Sequence, residues 1–132
     1  MGKQISVVGA VIVNRDSVLC AQRGSQTSLP GLWEFPGGKI ESGETPQRAL
    51  EREVLEELQC EIRVGSEVIT TTHAYDFATV TLTTFYCRLV AGTPNATEHA
   101  DLRWVHPTGL SDLNWAPADV PAVEKILCDF RA

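Results

Sequence analysis

Apolar residues recur along this chain in two rhythms, one of strands and one of helices. Ile5 to Val13 is dense in Val, Ile and Ala around Gly9 and predicts a buried strand. Asn14-Arg15-Asp16-Ser17 is a cluster of turn formers, and Val18 to Gln22 predicts a second strand, hairpin-paired to the first. Gly24 to Leu32, with Gly24, Pro30 and Gly31, reads as a loop; Trp33-Glu34-Phe35 is a short strand that Pro36-Gly37-Gly38 should break. Ile62 to Thr72 and Val80 to Val90 alternate and are rich in Thr, Val, Tyr and Phe, as strands are. After the turn at Ala91-Gly92-Thr93-Pro94-Asn95 comes one more short strand, Leu102 to Val105.

The helical rhythm appears twice. Thr45 is a good N-cap and Pro46 suits the first helical position. From there to about Leu58, the apolar residues Leu50, Val54 and Leu58 fall on one stripe. A terminal helix is predicted over about Ala122 to Phe130, led in by Pro117 to Pro121. Strands and helices do not alternate as βαβ units, so the expected class is α+β, a mixed sheet with helices on its faces. With no repeat or linker, residues 1–132 read as a single domain.

An apolar fraction of 43 % is enough for one core. The formal net charge of −6 argues against a nucleic-acid partner, which needs a basic stripe. It does not exclude a small phosphate substrate held through a divalent cation. The four cysteines form no C-x-x-C pair; Cys20, Cys60 and Cys87 read as small buried hydrophobes in a reducing compartment. No segment approaches the ~20 apolar residues of a membrane span, so no membrane partner and a cytoplasmic location are expected.

One segment carries unusual chemistry. On the middle helix Glu53, Glu56 and Glu57 stand at i, i+3 and i+4, on a face distinct from the apolar stripe. Like charges so placed repel by roughly 0.2–0.5 kcal/mol per pair, and they sit near the helix C-terminus, where the macrodipole disfavours anions. Such a cluster suits a hard divalent cation. The plainer reading is a solvated acidic face paired with Arg48 and Arg52. The Gly37-Gly38 pair ahead of the helix favours the first reading, because glycines let backbone approach a ligand closely.

The stretch resembles the Nudix box: a glycine, five residues, a glutamate, seven residues, then Arg-Glu-apolar-x-Glu-Glu-x-Gly-apolar. Gly38, Glu44, Arg52, Glu53, Val54, Glu56, Glu57 and Cys60 all match it. Gln59 departs, standing where the family has a glycine that caps the helix in the left-handed region. Gln there should cost about 1 kcal/mol. Trp33-Glu34-Phe35-Pro36-Gly37-Gly38, Glu98, Trp104 and Ala116-Pro117-Ala118-Asp119 extend the likeness to MutT-type members over nearly the whole chain. Within that group it is most similar to pyrophosphohydrolases acting on CTP and related pyrimidine nucleotides.

The resemblance implies the Nudix fold, a mixed β-sheet sandwiched between α-helices. It implies hydrolysis of a nucleoside triphosphate to monophosphate and pyrophosphate with Mg²⁺, or Mn²⁺ in its place. The target would be either a damaged nucleotide such as 8-oxo-dGTP or a CTP/dCTP-type substrate. Glu53 and Glu57, with the Gly37 carbonyl, are expected to bind metal. Glu56 should be a further ligand or position the attacking water, and Arg52 should hold the cluster in shape. Glu98 should complete the metal site or act as general base, with His99 a weaker candidate base. Substrate binding falls to Arg23, Glu34, Phe35, Gly37, Gly38, Lys39 and Asp119. Trp33 and Phe35 are expected to point opposite ways, only one of them into a pocket. Asp119 is either a reader of the base or an N-cap of the terminal helix. No Ser or Cys sits in a nucleophile motif, so water should attack directly.

Three other readings stand beside this one. A dinucleotide or nucleotide sugar would use the same box. A non-catalytic nucleotide-binding regulatory domain should show damaged carboxylates, whereas these are intact. A calcium-binding or purely structural acidic helix would be expected to carry a D-x-D-x-D-G loop, which is missing. Either a monomer or a homodimer is compatible with the sequence.

Overall fold

The two faces of the first strand build two different cores. In the computed structural model, which describes residues 2–131, β1 (Gln4–Asn14) turns Val8, Ala10 and Ile12 to one side and Val11 to the other. The first side packs on Ala49, Leu50, Val54 and Leu58 of α1 (Pro46–Leu58); the second packs on Ala122, Val123 and Ile126 of α2 (Val120–Arg131). The period-two alternation of a central strand thus explains why the sheet is covered by a helix on each face.

β2 (Ser17–Gln22), β3 (Trp33–Glu34), β5 (Glu61–Ala74) and β6 (Thr79–Ala91) complete the main sheet in the order β3-β2-β1-β6-β5. β1 and β6 run parallel from Gln4↔Thr79 to Val13↔Arg88; their other partners are antiparallel, so the sheet is mixed. β4 (Gly37–Lys39) pairs with β1, and β7 (Asp101–Val105) with β2. The fold is α+β, as expected, and Cys20, Cys60 and Cys87 are buried free thiols.

Three elements differ from the sequence reading. Gly37-Gly38 does not end the sheet but forms β4, opposite Gly9 and Val8. A Cβ on Gly37 would stand 1.9 Å from the Val8 carbonyl oxygen, so glycine is what lets the strands come this close. Two 3₁₀ helices, Pro107–Asp112 and Pro117–Asp119, occupy what had no assigned structure, and α2 begins at Val120.

Helix α1 starts as predicted, the Thr45 hydroxyl accepting from the Arg48 amide at 3.2 Å. It ends on Gln59 in the left-handed region (φ 59, ψ 36), the conformation the missing glycine would supply without strain. The Gln59 side chain accepts a hydrogen bond from Asn95 Nδ2 at 3.3 Å, an exposed contact that offsets little of this strain. Gln59→Gly is therefore expected to stabilise the protein by up to about 1 kcal/mol in urea denaturation. An unchanged or lower midpoint would show that the side-chain contact outweighs the backbone strain.

Candidate active site

The chemistry begins on the last two turns of α1. Leu50, Val54 and Leu58 are fully buried, and this fixes the helix rotation that sets Glu53, Glu56 and Glu57 on the other faces. Arg52 organises the neighbourhood. Its Nε and Nη2 donate to the two oxygens of Glu44 at 2.7 and 3.0 Å, Nη2 also to the Lys39 carbonyl at 3.1 Å, and Nη1 to Glu53 at 3.1 Å and Glu56 at 3.4 Å. This fork holds the Glu44 carboxyl down at about 2, mainly through its hydrogen bonds.

Glu53 and Glu57 sit in drier places. The Glu53 carboxylate lies over Gly38, so close that a Cβ there would be 2.4 Å from its carboxyl carbon. Burial raises its pKa against the opposing influence of Arg52. Glu57 is pushed up to about 7, chiefly by burial; nearby His99 opposes this, and the negative charges of Glu53, Glu98 and Glu34 add to it. Its Oε1 is buried with no hydrogen-bond partner. Glu56 stays exposed on Arg52. Glu98 is exposed on the loop between β6 and β7.

A cleft of about 440 Å³ opens beside this helix. Glu57, Gly37, Gly38 and Lys39 border it, as do Phe35 and Asp119; Arg52, Glu53, Glu56 and Glu98 lie outside its lining. Arg23 and Glu34 also face it, but bonded to each other: Arg23 Nη1 donates to Glu34 Oε1 at 2.6 Å, while Nε and Nη2 donate to the Ser28 carbonyl (2.6 Å) and hydroxyl (3.0 Å). The second Glu34 oxygen meets His99 Nε2 at 3.0 Å. The His99 ring is buried; burial disfavours its charge, but Glu34 and Glu57 outweigh that and raise its pKa. Only Nε2 of the ring is engaged; Nδ1 is buried without a hydrogen-bond partner.

Asp119 is 5 % exposed, and its Oδ1 accepts from the Phe35 amide at 3.1 Å. Burial lifts its pKa well above the usual carboxylate range, and the charge of Glu34 adds to this. The carboxyl bonds across the fold instead of capping α2, which corrects the N-cap alternative. The expectation about Trp33 and Phe35 is also corrected. Two apart on an extended segment, they share a face, and both are buried in the α2-side core, with Phe35 alone bordering the cleft.

The family described as NUDIX domain matches residues 7–125 of this chain. The chain belongs to the Nudix family. A Mycobacterium tuberculosis protein provisionally named 8-oxo-dGTP diphosphatase 2 is 41 % identical over 126 residues, 90 % of this chain and 84 % of that protein. Escherichia coli K12 CTP pyrophosphohydrolase is 38 % identical over 125 residues, 95 % of this chain and 93 % of that one. The solution structure of a MutT protein from methicillin-resistant Staphylococcus aureus superposes with a TM-score of 0.80 at 52 % identity, covering 98 % of this chain and 99 % of that chain. The protein is thus a Nudix hydrolase acting on phosphorus-containing anhydrides.

Among the described residues of this Nudix chain, no three His, Cys, Asp or Glu side chains are gathered as a ready-made metal cage. The donors nonetheless fit a hard divalent cation. Glu57 presents a buried, unsatisfied carboxylate oxygen, and Glu53 is cradled where no Cβ could be. The sequence reading missed an aromatic wall. Tyr75 and Phe77 border the cleft with rings stacked at 5.1 Å, and the Tyr75 hydroxyl accepts from the Ala118 amide at 2.8 Å, next to Asp119. The alternation His73-x-Tyr75-x-Phe77 was its signal in the sequence.

Proposed function

We propose that this Nudix hydrolase cleaves a nucleoside triphosphate to its monophosphate and pyrophosphate, with the phosphates at the Glu53/Glu57 end of α1 and the base against Asp119. The observation that carries the reading is Glu57, a desolvated carboxylate with a free oxygen at the border of a nucleotide-sized cleft. An uncompensated carboxylate is costly there unless a cation meets it.

Glu53 and Glu57, with the Gly37 backbone, would hold Mg²⁺ or Mn²⁺; Glu56, adjacent to Glu57, and Glu98, whose neighbour Thr97 bonds the Glu57 carbonyl, would add to the set or position water. The bound ion would neutralise phosphate charge and polarise the reacting phosphorus. Arg52 keeps Glu53 and Glu56 in place by spanning them from Glu44. Lys39, exposed at the cleft border, supplies a cation for the phosphates. A carboxylate, with Glu98 the candidate, takes the proton as the water oxygen bonds to phosphorus; the anhydride P–O bond breaks and pyrophosphate leaves. Positioning and fixed charge supply the rate.

Asp119 supports a narrower reading of the base. Held toward its neutral form, with Oδ1 already accepting from the Phe35 amide, the carboxyl offers an Oδ2 hydroxyl donor and the remaining lone pair of Oδ1 as acceptor. That pair matches the N3/N4 edge of cytosine and equally the O6/N7-H edge of 8-oxoguanine. Phe35, Tyr75 and Phe77 are apolar surfaces for the base plane.

A panel of natural and oxidised (d)NTPs, with products separated by ion exchange, tests the reading. Monophosphate plus pyrophosphate is expected, with cytosine or 8-oxoguanine nucleotides preferred. Two monophosphates from a dinucleotide, with triphosphates untouched, would overturn it. Asp119→Ala should reorder base preference while leaving the Mg²⁺ dependence unchanged; equal losses on every nucleotide would count against base reading.

A further inference from the structure

The loop that carries Glu98 is fastened on both sides of that residue. On one side it closes the C-terminal end of α1: the Asn95 amide donates to the Leu58 carbonyl at 2.9 Å and the Thr97 hydroxyl to the Glu57 carbonyl at 2.5 Å. On the other, His99 Nε2 meets Glu34 at 3.0 Å and the Ala100 amide donates to the Gln22 carbonyl at 2.9 Å. The Glu98 carbonyl lies over Gly24, 3.5 Å from where a Cβ would sit. Thr97 and His99, one residue either side, each make a hydrogen bond to the body of the fold, while Glu98 between them is exposed.

These anchors reach the acidic helix and the cleft. Thr97 holds the backbone of Glu57 itself, so the loop and that carboxylate are tied at one peptide unit. His99 is 6 % exposed, and through Glu34 it continues to Arg23 and Ser28 on the cleft wall. A buried ring committed to one carboxylate is well suited to fix a loop and poorly suited to shuttle protons with solvent.

We propose that His99, with Thr97, is a positioning residue: it clamps the loop so that Glu98 is presented beside Glu57. This rests on the reading of Glu57 and Glu98 as parts of one metal and water site. His99 acts through Glu98, and the consequence is specific. Once Glu98 is neutralised, removing the clamp should do little more harm.

The test compares His99→Phe, which keeps ring bulk but loses the hydrogen bond, and His99→Gln, which keeps a donor, in the wild-type and Glu98→Gln backgrounds. Mn²⁺ titration and kcat are measured for each. His99→Phe is expected to weaken Mn²⁺ binding and kcat by about 10- to 100-fold with KM little changed, His99→Gln to restore part of the loss, and the added loss in Glu98→Gln to be within about 2-fold. Equal losses in both backgrounds, or none in the wild type, would overturn the proposal. Amide exchange of the metal-free protein separates this from failure of the site reading. His99→Phe should speed exchange of Ala100 and Asn95 and leave Val11 and Ile12 in the core protected. Unchanged loop exchange refutes the clamp whatever the metal data give. Faster loop exchange with no Mn²⁺ bound by the wild type retains the anchoring but sinks both the presentation of Glu98 and the metal site.

Discussion

Glu57→Gln is expected to lower turnover by about three orders of magnitude, a loss of several kcal/mol of electrostatic stabilisation, while making the metal-free protein more stable at pH 8. The two effects have one cause. The Glu57 carboxyl sits at about 7 in the folded protein, above its ordinary value of 4.5, because burial disfavours its charge. Below about pH 4.5 the group is protonated in folded and unfolded chains alike and its burial carries no charge penalty. As pH rises toward 7 the unfolded chain ionises first, so stability from this group is lost, and above 7 the folded protein holds a desolvated anion that His99 offsets only in part. An amide removes that penalty, and a divalent cation should offset it in the wild type. Thermal melts at pH 5 and pH 8, with and without Mg²⁺, check this. The wild type should gain from Mg²⁺ at pH 8 and Glu57→Gln should not; a variant destabilised at pH 8 in the absence of metal would contradict it.

The adjacent glycines should fail in opposite ways when changed to alanine. At Gly37 the new Cβ meets the Val8 carbonyl oxygen at 1.9 Å and the Gly9 Cα at 3.0 Å, both backbone, so β4 must separate from β1. Gly37→Ala is expected to destabilise the fold by about 3 kcal/mol, the upper range for overpacking. At Gly38 the new Cβ meets only the Glu53 carboxylate, at 2.4 to 2.7 Å, and that is the end of a flexible side chain. Gly38→Ala should therefore leave the urea midpoint nearly unchanged and instead displace Glu53, with activity and Mn²⁺ affinity down about 100-fold. Equal destabilisation by both variants would show that the Glu53 carboxylate is fixed as rigidly as the sheet.

Much of this was legible from local chemistry. Thr45-Pro46 and the Leu50/Val54/Leu58 stripe define α1, because a cap and a 3.6-residue period are strong signals. That rotation in turn places the acidic residues. The Gln59 cap could be read because one backbone region suits that position. The Gly37-Gly38 strand could not, since glycine signals a break by propensity and a close approach only once the neighbouring strand is known. In the sequence Arg23, Glu34 and His99 are separate candidates, whereas their hydrogen-bonded chain joins residues up to 76 positions apart, from Arg23 to His99. The pairing of Asp119 with the Phe35 amide spans 84 positions and carries no local signal. The aromatic pair Tyr75 and Phe77 lies beyond the end of β5, where alternation alone does not tell a cleft wall from a hairpin.

The most direct measurement is anomalous diffraction from crystals grown with Mn²⁺ and a non-hydrolysable nucleoside triphosphate. A Mn²⁺ peak contacted by the Glu53 and Glu57 carboxylates, with phosphate oxygens completing its shell and the base near Asp119, is the predicted result. A metal bound elsewhere, with Glu57 Oε1 still without a partner beneath the nucleotide, would contradict the account.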